Sequence, residues 1–235
     1  MNIYNISKYT PFYPHWLSEL KARQLNKILI SSMRGNVIEL GAGTFEMYNS
    51  AVSSNANIAT YTVTDFGDMH VSFFESNMDG MLNVDACDTK LDNNVYDTHC
   101  SFEVMEHIKN LDDYMEEAYR ILKDNGIIIF SIPMMYKIHG HDYHRITKAG
   151  IVKLLNKHGV SPKLILSNTG IGTTVAQLIN HGMIDAIRHA WWTRPLVCVA
   201  PLVFFATQVT GYIIDLLPSN GSYATRYHVV GEKRE

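Results

Sequence analysis

Nine residues, HGHDYHRIT from His139 to Thr147, concentrate three histidines, an aspartate and an arginine. Histidine titrates near neutrality, and a carboxylate beside it fixes its tautomer or favours its charged form. Such a stretch suits removal of a proton from a substrate hydroxyl. The same His139, His141, Asp142 and His144 also have the chemistry of metal ligands, but no distant partner completes a set, so no metal is assigned. His107, in MEHI, is a further candidate base.

A second chemically telling stretch is NVIELGAGTFEMY, Asn36 to Tyr48. An apolar run encloses Glu39 and opens at once into Gly41-Ala42-Gly43. Glycine permits positive backbone torsions and lets a ligand approach the main chain where a side chain would collide. A dinucleotide turn would place a third glycine where Glu46 stands, and a carboxylate there repels a pyrophosphate, which disfavours NAD. Glu39 points instead to a cationic ligand, an ammonium or a sulfonium, because charge-assisted hydrogen bonds are about twice as strong as neutral ones.

These residues need a scaffold, and the chain alternates short apolar runs with helical patterns, as parallel sheets with crossover helices do. A helix is expected from Trp16 to about Met33, followed by strands at Asn36–Leu40, Tyr61–Asp65, Met81–Asp85 and Asp97–Val104. A helix capped by Asn110 is expected to run toward Gly126. GIIIFSIP, Gly126 to Pro133, is apolar throughout, as a strand covered on both faces should be. Thr147 heads a short helix ending at Gly159; strands at PKLILS and around Tyr227–Val230 close the pattern. The fold class is α/β with an open, mostly parallel sheet whose ligands lie at the strands' carboxyl ends.

Taken together, IELGAGT, VTD closing the second strand, VDACD after the third and EVMEHI after the fourth resemble the successive binding motifs of class I methyltransferases that use S-adenosylmethionine. The resemblance covers about Val37 to Val160. It implies a Rossmann-like, seven-stranded sheet with an antiparallel last strand and S-adenosylmethionine as cofactor. By this likeness the backbone of Gly41, Ala42 and Gly43 passes the methionine end, with Glu39 nearby, and Asp65 accepts the ribose hydroxyls. Asp85 and the amide of Ala86 face the adenine, and Phe102 and Glu103 line the pocket. Phe45 departs from the pattern, since a small residue is usual there. Turn or cap roles for Asp65 and Asp85 are the plain alternative.

Within that superfamily the His139 loop resembles the H…D-Y-x-R-[FYI]-T segment of enzymes encoded with bacterial polysaccharide and lipopolysaccharide genes, through His139, Asp142, Tyr143, Arg145 and Thr147. On this reading His139 is the general base, Asp142 orients it or grips the acceptor, and Arg145 binds an anionic or hydroxyl-rich group. Arg145 as a pin for loop carbonyls and Thr147 as a helix cap are the structural alternatives. The expected reaction is O-methylation of a sugar, sugar phosphate or related small group. Methylation at carbon or nitrogen of a quinone-like or amino-sugar acceptor, and a catalytically silent binding module, are the other readings.

The 235 residues suit a single domain, with an N-terminal cap and helix over 1–35, a cofactor-binding core over 36–168, a hydrophobic insertion over 169–222 and a last strand over 223–235. A formal charge of -3 and the lack of a long basic run argue against a nucleic-acid partner. Three cysteines without a C-x-x-C pair fit neither a disulfide framework nor a zinc ribbon, and the first residues lack the pattern of a secretory signal, so a cytoplasmic protein is expected. Residues 195–214 carry no charge over a bilayer's length, with Trp191, Trp192 and Arg194 just ahead as interfacial anchors. Pro201, Gln208 and Gly211 argue against a spanning helix. Helices over 190–217 are expected to cover the active site, to form a homodimer contact, or to lie on the inner face of a membrane. YTPFYPHW is either an aromatic flap or the staple of the first helix.

Overall fold

The computed structural model describes residues 10–43, 46–66, 82–135, 142–218 and 223–234. His139, His141, Phe45 and Tyr9, singled out above, lie outside them. Seven strands form one sheet: β1 (Gly35–Leu40), β2 (Ile58–Asp65), β3 (Leu82–Asn83), β4 (Tyr96–Phe102), β5 (Leu122–Pro133), β6 (Val160–Ser167) and β7 (Arg226–Lys233), in the order β3-β2-β1-β4-β5-β7-β6. The pairs β1–β2, β1–β4, β2–β3 and β4–β5 are parallel. Asn168 N–H donates to Arg226 O at 3.2 Å, and Arg234 N–H to Gly159 O at 2.9 Å. One end of β6 thus meets the opposite end of β7, so β7 runs antiparallel to β6, as the resemblance implies.

The chain divides into two compact units. One comprises the described residues up to Asn26 with Ser167–Arg226; the other comprises Lys27–Leu166 and the residues from Tyr227 onward.

In the sheet unit the apolar runs become strands because both faces are covered. Alternation puts Val37 and Cys100 on one face, where they pack with Ile129, Val230, the end of helix α1 (Trp16–Ser32) through Leu29, Ile30 and Met33, and helix α2 (Glu46–Ser54) through Met47 and Ala51. Helix α3 (Leu111–Ile121) buries Tyr114, Met115, Ala118 and Ile121, and the Asn110 side chain caps it by accepting from Asp112 N–H at 3.1 Å. Polar residues of β4 are paired within the core. Ser101 Oγ lies 2.6 Å from Tyr114 Oη, and buried His99 has its pKa lowered to about 4 by desolvation. Helix α4 (Lys148–Lys157) starts where expected, with Thr147 Oγ1 accepting from Gly150 N–H at 3.2 Å.

Strand ends shift by a few residues, as at β2, which starts at Ile58, and β4, which ends at Phe102; the larger difference lies between α3 and β5. The apolar spacing suggests that α3 continues to Gly126, but it ends at Ile121 and β5 begins at Leu122. Tyr96 pairs with Leu122 while Thr98 pairs with Ile127, so residues 123–126 bulge out of the ladder, with Asn125 at φ 60°. The polar KDN stretch forms this excursion rather than a last helical turn. Lys233 ties it down: its buried Nζ donates to Leu122 O at 2.7 Å and to Asn94 Oδ1 at 3.0 Å, and sits 4.3 Å from the Tyr119 ring centre.

The other unit holds helix α5 (Ile171–His189), a 3-10 segment (Trp191–Cys198) and helix α6 (Ala200–Asp215). Two regular α-helices occupy the stretch that carried no strand pattern in the sequence.

Candidate functional site

The carboxyl ends of β1, β2 and β4 bring the expected cofactor residues of the sheet unit together. Gly41 and Gly43 have φ of 73° and 52°, the left-handed region that side chains disfavour. A β-carbon on Gly41 would lie 2.6 Å from Val104 Cγ2, whereas one on Gly43 would meet none of the described residues within 4 Å. The turn therefore packs on the segment after β4 at Gly41. Asp65 holds the turn in place: its Oδ2 accepts from Gly43 N–H at 3.1 Å and its Oδ1 from Phe66 N–H at 2.8 Å. Each oxygen keeps acceptor capacity for a further donor, so pinning the turn and receiving hydroxyls are compatible.

Glu39 is buried, and its Oε2 accepts from Tyr61 Oη at 3.0 Å. Burial pushes its pKa up to about 8; the Tyr61 hydrogen bond opposes this, and Asp65 reinforces it. At neutral pH Glu39 is thus mostly a protonated acid. Tyr61, itself pushed up by burial, also lies 3.5 Å from Cys100 Sγ.

Asp85 is exposed, and its Oδ1 accepts from Cys87 N–H at 2.8 Å, the geometry of an Asx turn. Ala86 sits within this turn, half-buried. Phe102 ends β4, and Glu103 follows with φ 58°, an uncommon torsion for a residue with a side chain. Glu103 N–H donates to Ser131 O at 3.1 Å, and Ser131 Oγ donates to Glu103 Oε1 at 2.7 Å. These bonds tie the end of β4 to β5.

The next turn, Met105–His107, carries two groups of interest. Glu106 is fully buried, and neither carboxyl oxygen takes a hydrogen bond among the described residues. Burial first, then Glu103 and Asp142, raise its pKa to about 8. His107 Nδ1 stands 3.4 Å from Asp142 Oδ1, and its Nε2 stands 3.8 Å from Glu106 Oε1. These are ion-pair rather than hydrogen-bond separations. The backbone clamps the arrangement, since Tyr143 N–H donates to Glu106 O at 2.7 Å.

Asp142 Oδ2 pairs with Arg145, whose Nη1 also donates to His144 O at 2.9 Å. Arg145 therefore holds a loop carbonyl, as in the structural alternative weighed above. Among the described residues no group of three or more His, Cys, Asp or Glu is placed to hold a metal ion. The structure joins Asp142 to His107 across about 35 positions. Sequence spacing did not show this pairing, nor the contact of Tyr61 with Glu39, because both depend on sheet register and loop path. Glu106 had a signal, an acid three residues beyond Glu103 on a turn, that was passed over.

Residues 38–130 match the family model described as "Methyltransferase domain". Among curated protein sequences none matches the chain. The fold is similar to that in the complex of the Haloferax volcanii Trm112 methyltransferase activator with a methyltransferase (16% identity, 94% of this chain and 91% of that one, TM-score 0.62). It is also similar to Haemonchus contortus phosphoethanolamine N-methyltransferase 2 bound to S-adenosyl-L-methionine (15%, 100% and 60%, TM-score 0.57). A third similar structure is the [4+2]-cyclase SpnF (12%, 91% and 81%, TM-score 0.57). Fold alone does not set the reaction. The match to the methyltransferase-domain family over residues 38–130 includes the glycine turn at the end of β1, and the fold around it is the one these structures share.

Proposed function

We propose that the protein methylates a hydroxyl of a small, hydroxyl-rich or anionic acceptor, a sugar or sugar phosphate of a bacterial surface glycan, on the cytoplasmic side of the membrane. The observation that carries the hydroxyl reading is the pair His107–Asp142, 3.4 Å apart on the segments after β4 and β5. The glycan class rests on the likeness of the loop from His139 to Thr147 to enzymes of polysaccharide and lipopolysaccharide gene clusters.

S-adenosylmethionine supplies an electrophilic methyl group on a sulfonium. The residues fit it: a positive-φ turn at Gly43, acids at Glu39 and Asp65, and the exposed Asp85 turn. In this reading the backbone of Gly41, Ala42 and Gly43 with Glu39 holds the amino-acid end, Asp65 the ribose, Asp85 and Ala86 the adenine, and Phe102 and Glu103 the pocket wall. Asp142 Oδ1, 3.4 Å from His107 Nδ1, favours the tautomer with its proton on Nδ1, which leaves Nε2 as the atom that takes the acceptor's proton. Neutral Glu106 beside that nitrogen avoids fixing the imidazole as a permanent ion pair. Arg145 keeps Asp142 aimed and offers donors to an anionic acceptor. His139 is the alternative base.

A screen of nucleotide sugars and glycan fragments with isotopically labelled donor, read by mass for the gain of one methyl, tests the proposal. Transfer to an oxygen supports it; transfer only to carbon or nitrogen overturns it. His107→Gln is expected to cut turnover about 100-fold or more while cofactor binding stays unchanged. If His139→Ala does so and His107→Gln does not, the role of base passes to His139. The density of carboxyl groups at Glu103, Glu106 and Asp142 favours a second reading, an amino-sugar nitrogen as acceptor, which the same screen separates.

A further inference from the structure

Part of the α5–α6 unit has inverted polarity. Beside an apolar cluster of Ile184, Ala200 and Phe204, its interior is lined by Thr173, Thr174, Gln177, Asn180 and Gln208, all buried, with Gly172 and Gly211 between the helices. A β-carbon on Gly211 would lie 2.6 Å from Gly172 O, so the two backbones touch. Polar bonds hold this interior. Thr207 Oγ1 donates to Asn180 Oδ1 at 2.8 Å, Gln208 Nε2 to Tyr13 O at 2.8 Å, and Leu17 N–H to Gln208 Oε1 at 3.0 Å. The outward faces carry Ile171, Val175, Leu178 and Ile179 on α5, and Leu202, Phe205, Tyr212, Ile213 and Ile214 on α6. Water-facing helices show the reverse arrangement. Small residues at a crossing, interhelical hydrogen bonds and apolar exteriors are how helices associate in lipid.

The charges fit one kind of apolar surface. From Trp191 to Leu217 the only charged residues are Arg194 and Asp215. Asp215 turns inward and caps α5, accepting from Gly172 N–H at 2.7 Å and Thr173 N–H at 3.1 Å. Arg194 is exposed, and Trp191 and Trp192 beside it are 78% and 70% exposed. Arg188 adds a second positive charge at the same end of the hairpin, with exposed Asp185 one turn before it. Indole rings with arginines belong at the headgroup level of a bilayer. Among the described residues no single helix is long and apolar enough to cross a membrane; the Trp191–Cys198 and Ala200–Asp215 segments meet the composition only together, and bend by 70°.

We propose that the α5–α6 hairpin lies in the plane of an anionic phospholipid surface, its apolar faces immersed and its Trp191-Trp192-Arg194 end among the headgroups. This makes the protein a peripheral enzyme of a membrane that presents its acceptor. The surface itself stands whatever the acceptor proves to be.

Flotation of the full chain with phosphatidylglycerol–phosphatidylcholine vesicles tests it. Co-flotation is expected, on the order of tenfold stronger than on phosphatidylcholine alone, with a blue shift of tryptophan emission. The double variant Trp191→Ser with Trp192→Ser, which removes exposed side chains only, is expected to lose at least tenfold of vesicle binding while still binding S-adenosylmethionine. The double variant Leu202→Ser with Ile213→Ser, on the other helix face, should behave alike. Absence of flotation by protein that binds the cofactor, or equal flotation of the variants, overturns the proposal. A lipid-free dimer that shields Trp191 and Trp192 from a soluble quencher also overturns it, by giving the face to a second copy. Vesicle binding does not read methyl transfer, so this result and the acceptor screen fail independently.

Discussion

Glu39 gives a prediction that can be worked through in numbers. Its pKa stands at about 8 in the fold against an ordinary value of 4.5. Between those values the folded chain holds a proton that the unfolded chain has released, so stability falls as pH rises through the window. From pH 4.5 to pH 7 the loss is two and a half units at about 1.4 kcal/mol each, on the order of 3 kcal/mol. Glu39→Gln, which keeps an acceptor for Tyr61 Oη, is expected to remove that slope and to raise the melting temperature above neutrality. The same proton reports on the cofactor. At pH 7 about nine in ten Glu39 side chains are protonated, and a cation brought beside them favours the carboxylate. Binding of S-adenosylmethionine should therefore release close to one proton, seen by calorimetry as an enthalpy that changes with the buffer's heat of ionisation. Methylthioadenosine, which lacks the charged amino-acid end, should release none. A wild-type enthalpy independent of buffer, or an unchanged dependence in Glu39→Gln, would refute the placement of a positive charge at the end of β1.

Gly41→Ala is expected to weaken cofactor binding and to cost about 1–2 kcal/mol for φ 73° alone; adding Val104→Ala should relieve the collision but not the torsion, so denaturant melts should recover only in part. Asp142→Asn is expected to lower kcat by more than tenfold and to shift the acid limb of the rate–pH profile, with the S-adenosylmethionine Kd unchanged. Lys233→Met leaves Leu122 O and Asn94 Oδ1 without their cationic donor, a loss of about 2–3 kcal/mol in urea unfolding. Asp215→Ala strips the cap from α5 and should cost about 1 kcal/mol or more, read as faster amide exchange at Gly172 and Thr173.

Much of the sheet could be read directly because its strands are short apolar runs punctuated by glycine, proline and acids. Asn36–Leu40 and Gly126–Pro133 lie inside β1 and β5, and Asn110 and Thr147 cap the helices they were expected to cap. Misjudged was the local choice between a last helical turn and a bulge at Lys123–Gly126, which Lys233 decides from more than a hundred residues away. The cofactor residues Gly41, Gly43 and Asp65 were legible as types, but their mutual bond was not, since Leu40 opposite Thr64 is a register fact. The inverted polarity of α5 was equally hidden. Its composition looks ordinary; only the knowledge that Thr173, Gln177 and Asn180 face inward reveals it.

A buried acid is costly when ionised without a partner, and the sheet unit holds two of them, Glu39 and Glu106, with pKa values near 8. Both lie on the segments whose strands end at the glycine turn and the His107–Asp142 pair. Kept protonated, they spare the fold most of the desolvation penalty that two bare carboxylates would carry. At these two positions negative charge then develops where a cation arrives. A fixed carboxylate pair would hold the cationic donor and any metal or amine alike. Acids that ionise on demand give the proton as a third party to binding, and their affinity for a cation then rises with pH up to about 8. Since the neutral sulfur of the demethylated product has lost one positive charge, its affinity should rise less steeply with pH than that of S-adenosylmethionine. Parallel pH dependences for the two ligands would place the sulfur away from both acids.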